Sequence, residues 1–423
     1  MSEEQQQQQH LDRISVIASH LVSGGAQQHK ADVSSAFDYY HLDDLLNDSQ
    51  RQTREQAKTF ARDHLLPIVN EYYEKAEFPM HVIPLLAKLN WAGSSIKGYG
   101  CPGLDAVSSG LISMELAKAS TDIAVFFSIL QTIAMLPISV CGSEEQKQRY
   151  LPGMAAMNLI GCFSLTEPMA GSDAAGLFCQ ARQLSNGAWL LNGEKRWIGS
   201  APMADVNIIW ARNVDNNQIH GFIIDKGTDG MTVETIKNKI ALRSVQNGHI
   251  YLNDCLVQEA NRLPLAKDFA TGPGKCLFLT RIIASWIALG IAIGAYESCL
   301  QYVKRRKQFG SPLARYQLVQ DKLVRMLGNI QAMAMMTMRV SQLYDKSQLT
   351  YGQVGLLKAH NTSRGREVVS MARELVGGNG IVTDYGVARS FVDMEAVHTF
   401  EGTYEINALI AGREITGHSA FKS

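Results

Sequence analysis

Strand-like segments occur only in the middle of this chain, and helical periodicity holds on either side of them. Between about Gly161 and Thr271 run short apolar and β-branched stretches: Trp189-Leu190-Leu191, Asn207-Ile208-Ile209-Trp210, Gly221-Phe222-Ile223-Ile224 and His249-Ile250-Tyr251-Leu252. Asn192-Gly193 and Asn247-Gly248 have the sequence of hairpin turns. From Phe37 to Ile160 the apolar spacing is mainly helical, and Ser143-Glu144-Glu145-Gln146 reads as a capping box opening a short helix before Pro152. Helical spacing returns after Lys275, where Val319, Leu323, Met326, Ile330, Met333, Val340 and Leu343 recur at steps of three, four or seven. This order excludes the alternation that builds a parallel doubly wound sheet. The expected fold is α+β and mostly α. A mobile tail (1–36) precedes an N-terminal helical domain (37–160), a central antiparallel β domain (161–271) and a C-terminal long-helix bundle (272–423).

The 423 residues suffice for two or three domains at roughly 150 residues each. Forty Lys and Arg balance forty Asp and Glu with no long basic run, so neither nucleic acid nor an anionic membrane is an expected partner. The seven cysteines show no C-x-x-C spacing, which predicts neither a metal site nor a disulfide framework and suggests a reducing compartment inside the cell. No G-x-G-x-x-G follows a strand segment, and Gly272-Pro273-Gly274-Lys275 lacks the spacing and the Ser/Thr of a phosphate-binding loop. A Rossmann dehydrogenase and a P-loop enzyme are both disfavoured.

Ile123 to Gly142 is uncharged and long enough to span a bilayer. It carries Ser128, Gln131, Thr132, Pro137 and Ser139, however, and reads as a buried core helix ending near Pro137. Ile282 to Tyr296, bounded by Arg281 and Glu297, falls short of the about 18 to 20 residues a span requires. No membrane span is expected. The tail is polar and low in complexity, with Gln5 to Gln9 and Gly24-Gly25. Glu3, Glu4 and Asp12 beside one early Arg argue against a mitochondrial transit peptide. Arg13-Ile14, five residues, then His20-Leu21 resembles the N-terminal peroxisomal targeting nonapeptide, a pattern chance supplies about once in a hundred such tails. The expected address is the peroxisome, with an import receptor as partner; the alternative is the mitochondrial matrix. Phe421-Lys422-Ser423 is not the Ser-Lys-Leu address.

Four segments could carry chemistry. Cys162 to Asp173 (C-F-S-L-T-E-P-M-A-G-S-D) offers free backbone N–H groups to an acceptor-rich ligand, although such a segment taken alone is more often a plain polar turn. Asn192 to Ser200 contains Trp197-Ile198-Gly199, whose indole either flanks a planar ring or sits in the core. Arg305-Arg306-Lys307-Gln308-Phe309-Gly310 is either a solvated helix end or a pyrophosphate contact. Last come Glu374 to Gly380, with glycines that most simply end a helix, and Thr399-Phe400-Glu401-Gly402-Thr403. Glu401 is either a surface carboxylate or, partly desolvated beside Phe400, a general base.

In this order and layout the segments are similar to the acyl-CoA dehydrogenase and oxidase superfamily, from about Phe37 to Lys422. The motifs are L-T-E-P-x-x-G-S-D, W-I-G, R-K-Q-F-G, G-G-N-G and F-E-G-T. Lys195-Arg196-Trp197-Ile198-Gly199, Val245-Gln246-Asn247-Gly248 and Gly412-Arg413-Glu414-Ile415-Thr416-Gly417 most resemble short-chain peroxisomal acyl-CoA oxidases, with glutaryl-CoA dehydrogenases next.

The resemblance implies FAD, held by Phe163, Leu165, Thr166, Gly171 and Ser172, by Trp197, Ile198 and Gly199, and by Glu374, Gly377 and Gly378 together with Thr403 and Glu405. It implies that Arg306, Gln308, Phe309 and Gln317 reach the flavin of a neighbouring subunit, hence a homotetramer or homodimer. Ser172 and Gly402 would lie at the acyl-CoA, with Arg281 near the catalytic carboxylate. Glu401 would remove the α-proton while the β-hydrogen leaves as hydride, and its backbone N–H with a flavin ribityl hydroxyl would receive the enolate oxygen. The implied reaction takes a short-chain acyl-CoA to trans-2-enoyl-CoA in fatty-acid β-oxidation, with O2 as acceptor giving H2O2. An acyl-CoA dehydrogenase serving an electron-transfer flavoprotein is the alternative. A non-catalytic acyl-CoA-binding scaffold is a third reading, but it would need neither Glu401 nor the flavin-facing motifs.

Two departures qualify the resemblance. Many dehydrogenases of the superfamily have Trp-Ile-Thr where this chain has Gly199, and the lost side chain is expected to open space for oxygen. Glutaryl-CoA dehydrogenases place an arginine where Ala124 stands, which argues against a substrate with a distal carboxylate. Phe126 or Phe127 at the pocket end would favour short acyl chains.

Overall fold

The computed structural model describes residues 37–420. The nonapeptide Arg13 to Leu21 and the C-terminal tripeptide therefore lie outside the described residues. The first region is helical: α1 (Asp48–Phe60), α2 (Val69–Lys75), α3 (Val82–Ala87), α4 (Ala106–Ala119), α5 (Thr121–Ser128), α6 (Met135–Cys141) and α7 (Glu144–Ala155). Caps fix several starts, since Asn47 with Gln50 and Ser143 with Gln146 form capping boxes and the Asp105 carboxylate accepts from the Ser108 N–H. Neither proline ends its helix as expected. A π turn, Ile129–Ala134, joins α5 to α6 and widens the helix directly ahead of Pro137, so the stretch runs on to Cys141. Pro152 sits in the last turn of α7, where its missing N–H leaves only one carbonyl without a helical partner.

Seven strands form one sheet: β1 (Gly161–Ser164), β2 (Gln180–Gln183), β3 (Trp189–Gly199), β4 (Val206–Asn213), β5 (Ile219–Asp225), β6 (Met231–Thr235) and β7 (Asn247–Val257). The sheet is mixed rather than wholly antiparallel, because β1 and β2 lie in succession along one edge of β4, both parallel to it, while β5 takes its other edge antiparallel. β3 pairs with β2 and β7, and β6 borders β7, all antiparallel. Asn192-Gly193 and Asn247-Gly248 are not turns. Asn192-Gly193 lies inside β3 at a register shift, where a Cβ on Gly193 (φ +142°) would stand 2.8 Å from Cys179 Cα. Asn247-Gly248 opens β7.

The last region holds α8 (Pro273–Arg305), α9 (Gln317–Asp345), α10 (Tyr351–Val376), α11 (Val387–Thr399) and α12 (Tyr404–Thr416). α8 has 33 residues and so spans roughly 50 Å at 1.5 Å per residue. It crosses α4 at Gly110, where a Cβ would meet Trp286 Nε1 at 2.0 Å; the missing side chain lets the two helices close on the indole, which donates to Ser341 Oγ at 2.9 Å. Two helical stretches, Thr121–Cys141 and Pro273–Arg305, are long and apolar enough to cross a membrane by length and composition, and their apolar windows are 67% and 89% buried inside the fold. The Ile282 to Tyr296 run was read too short because α8 continues past both of its charged bounds.

Candidate active site

Glu401 occupies the turn between α11 and α12 in a left-handed conformation (φ +55°) that non-glycine residues seldom adopt, followed by Gly402 at φ +85°. Side chains from three helices hold that turn by its carbonyls. Asn407 Nδ2 donates to the carbonyls of Glu401 (3.3 Å), Gly402 (2.8 Å) and Thr403 (3.0 Å). Lys358 Nζ donates to those of His398 (2.9 Å) and Gly402 (2.6 Å). Arg281 Nε approaches the Glu401 carbonyl at 3.4 Å, so Arg281 meets the backbone of Glu401 rather than its carboxylate. The carboxylate itself accepts from the Thr280 hydroxyl at 2.6 Å. Partial burial raises its pKa above the usual carboxylate range, against the opposing pull of the Thr280 hydrogen bond, Arg281 and Lys358. Thr403 caps α12 by accepting from the Ile406 N–H at 3.3 Å, and Glu405 stands exposed in the first turn of that helix. Thr280, Lys358 and Asn407 escaped the sequence reading. Their signals were faint: a hydroxyl beside Arg281, a lone lysine in the apolar run Val354 to Ala359, and an asparagine six residues after Glu401.

β1 and β3 bring two further segments together. Lys195 Nζ, wholly buried, donates to the Leu165 carbonyl at 3.2 Å and pairs with the Glu167 carboxylate at 2.6 Å. The Arg196 N–H donates to the Thr166 carbonyl at 2.8 Å. Just beyond, the pairing of β3 with β7 slips between Lys195 and Ile198, and Trp197 takes φ +64°. That bulge turns the indole outward to 54% exposure, while Ile198 stays in the core. Phe163 faces inward, its ring 5.8 Å from that of Trp210. Gly171 and Ser172 are exposed, and a Cβ on Gly171 would meet nothing within 4 Å.

The place of a side chain at Gly199 is taken by a neighbour. A Cβ there would lie 2.2 Å from Ile129 Cδ1, so the π turn between α5 and α6 fills with a hydrocarbon the place a threonine side chain would take. Gly199→Thr is expected to lower stability by about 1–3 kcal/mol through overpacking, and adding Ile129→Ala to restore most of it; thermal denaturation of both variants checks this.

The opposite end of α8 builds a separate cleft of about 350 Å3, lined by Tyr302, Arg306, Gln308, Leu375, Gly377 and Gly378 among others. Gly377 (φ +66°) and Gly378 leave backbone open, with nothing within 4 Å of an added Cβ. In the hairpin after α8, Phe309 (φ +50°) and Gly310 (φ +76°) form the two-residue turn, which leaves the Phe309 ring 94% exposed. Gln317 is exposed at the start of α9, and Glu374 is ion-paired with Lys322. Gly377 and Gly378 therefore stand with Arg306 and Gln308 rather than with Thr403. The reason is the length of α8: Arg281 beside Glu401 and Arg306 beside Gly377 are separated by roughly 38 Å of helix, well beyond the reach of one dinucleotide.

A helical, sheet, helical layout with a carboxylate seated in a left-handed turn against the long central helix defines a protein class that comparison with known sequences identifies. The chain matches the N-terminal (47–158), middle (162–255) and C-terminal (274–416) domains of acyl-CoA dehydrogenase, and it belongs to that family. It is 32% identical to the probable acyl-CoA dehydrogenase YngJ of Bacillus subtilis, over 88% of this chain and 98% of that protein. It is 28% identical to the caffeyl-CoA reductase-Etf complex subunit CarC of Acetobacterium woodii, over 86% and 97%. Among solved structures, a glutaryl-CoA dehydrogenase from Mycobacterium smegmatis in complex with FADH2 superimposes with a TM-score of 0.88 at 34% identity, covering 90% of this chain and 98% of that one. These relatives are dehydrogenases and a reductase, so the likeness to peroxisomal oxidases stands on the shared phrases alone.

Proposed function

We propose that this protein is an FAD-dependent acyl-CoA dehydrogenating enzyme in which Glu401 takes the α-proton of a short-chain acyl-CoA thioester. The observation that carries this reading is the seating of Glu401 in a strained, side-chain-clamped turn with its pKa raised toward the range of a general base. The residues present suit FAD: an outward indole at Trp197 beside the tethered Leu165-Thr166 backbone offers a ring platform, and bare backbone at Gly377-Gly378 beside Arg306 suits a pyrophosphate. Bound there, FAD supplies the acceptor for the β-hydride. Thr280 holds one carboxylate oxygen of Glu401 and leaves the other for the α-carbon. The clamps on the neighbouring carbonyls fix the direction of the Glu401 N–H, which is a donor for the developing enolate oxygen. The separation along α8 between Glu401 and the cleft at Gly377 supports an oligomer in which Arg306, Gln308, Phe309, Glu374, Gly377 and Gly378 serve the flavin of a neighbouring subunit.

The acyl chain is short in this reading. Phe126 packs its ring 4.5 Å from that of Phe78, and Phe127 and Trp91 meet edge to face at 6.5 Å, closing α5 against the N-terminal helices. Ala124, wholly buried on the same helix, supplies no charge for a distal carboxylate. Phe126→Ala is expected to move the preferred substrate from butyryl- or hexanoyl-CoA to chains two to four carbons longer on the order of one residue's lost volume, as a series of kcat/KM values would show.

For the electron acceptor we favour O2, on the phrases shared with the oxidases; the relation to an Etf-complex subunit supports an electron-transfer flavoprotein as the second reading. The test is anaerobic reduction by butyryl-CoA followed by admission of air. Prompt return of the yellow colour with stoichiometric H2O2 establishes the oxidase. Persistent bleaching establishes a dehydrogenase, and no bleaching at all leaves only an acyl-CoA-binding scaffold. Peroxisomal import through Arg13 to Leu21 belongs to the oxidase reading, and a fluorescent reporter carrying residues 1–36 should collect in peroxisomes; diffuse or mitochondrial signal counts against it.

A further inference from the structure

Lys358, in the second turn of α10, is among the largest fully buried side chains. Its hydrogen-bond partners among the described residues are two backbone carbonyls, those of His398 and Gly402, which lie on either side of Glu401 in the chain. A buried ammonium is a costly way to satisfy carbonyls, because a neutral amide would do so without desolvating a charge. What the amide lacks is the charge, and the carboxylate that acts most strongly on that charge is Glu401.

We propose that Lys358 is a positioning residue for Glu401: by gripping the two flanking carbonyls it fixes the turn that presents the carboxylate, and its ammonium is that carboxylate's buried counter-charge. The proposal rests on Glu401 being the base. Other groups face the pair. Arg281 and Cys276 come from α8, His398 from the end of α11 and Glu405 from the start of α12. Arg281 reinforces the positive potential at Glu401, while Glu405, exposed, supports the ammonium of Lys358. Burial pushes Lys358 down to about 7, and the attraction of the Glu401 carboxylate opposes that shift.

The sign follows. A nearby cation favours the ionised carboxylate, so removing it raises the pKa of Glu401. Lys358→Met, of similar length and without charge, is expected to cut kcat at least tenfold on the order expected for a misplaced base, with KM within about threefold because no substrate contact is lost. The acid limb of its kcat/KM profile should move up by about one pH unit. Lys358→Arg keeps the charge and should hold the acid limb near the wild-type position even if kcat falls. Should Lys358→Met fail to fold, Lys358→Gln, which retains a donor, replaces it. An acid limb that stays put in both neutral variants, whatever happens to thermal stability, reduces Lys358 to a structural clamp and overturns the proposal. Failure of the underlying reading looks different: Glu401→Gln itself would then retain wild-type turnover.

Discussion

Glu401→Gln is expected to reduce turnover of butyryl-CoA by about 10^2- to 10^4-fold while leaving binding of the thioester nearly unchanged. Glutamine keeps an acceptor for the Thr280 hydroxyl and the shape of the side chain, so the loss reports the missing base rather than a collapsed turn. In the parent enzyme the acid limb of kcat/KM should lie above the ordinary carboxylate range, since burial raises the carboxyl. The same shift has a stability sign. A carboxyl whose folded pKa is raised weakens the fold above its unfolded pKa, and the penalty is absent below it. Glu401→Gln should therefore melt at a higher temperature than the parent at pH 8 and at the same temperature at pH 4. A variant that turns over normally, or one whose melting temperature drops at pH 8, contradicts the assignment.

Lys195→Met should be the most damaging single change in the β region. Lys195 and Glu167 form an ion pair with 0% and 4% of their side chains exposed, and Glu167 also accepts from the N–H groups of Phe178 and Cys179. Removing the lysine strands a buried carboxylate, which typically costs about 3–5 kcal/mol. It also frees the Leu165 carbonyl, so the segment from Leu165 to Ser172 should loosen and the purified variant should carry less flavin. Adding Glu167→Gln removes the stranded charge and should recover part of the stability in a urea titration. A loss below about 1 kcal/mol would place the pair among those that contribute little.

The order of helical, sheet and helical regions was legible because it rests on local period, which survives in the sequence whatever the tertiary contacts are. Capping boxes at Ser143 and the periodic face of α9 were legible for the same reason. Misreadings fell where a distant element decides. Asn192-Gly193 has turn chemistry, yet the close approach of Cys179 makes it a bulge. Pro137 has stop chemistry, yet the preceding π turn accommodates it. In the site, Glu401 could be picked out from its motif, but Thr280, Lys358 and Asn407 lie from six to 121 residues away along the chain and meet it only through packing. The filling of the space at Gly199 by Ile129 was equally invisible, because nothing local to either residue announces the other.

The length of α8 carries a genetic consequence. With Arg281 near one end and Arg306 at the other, the proposed oligomer makes damage to the two ends damage to different halves of a shared catalytic unit. Two dead alleles, Glu401→Gln and Arg306→Ala, should therefore complement when expressed in one cell. Each mixed pair of subunits assembles one centre in which both halves are intact and one in which both are broken, and extracts of co-expressing cells should regain activity that neither allele gives alone. Complete failure to complement, with mixed oligomers demonstrated, would mean that each chain builds its whole centre by itself.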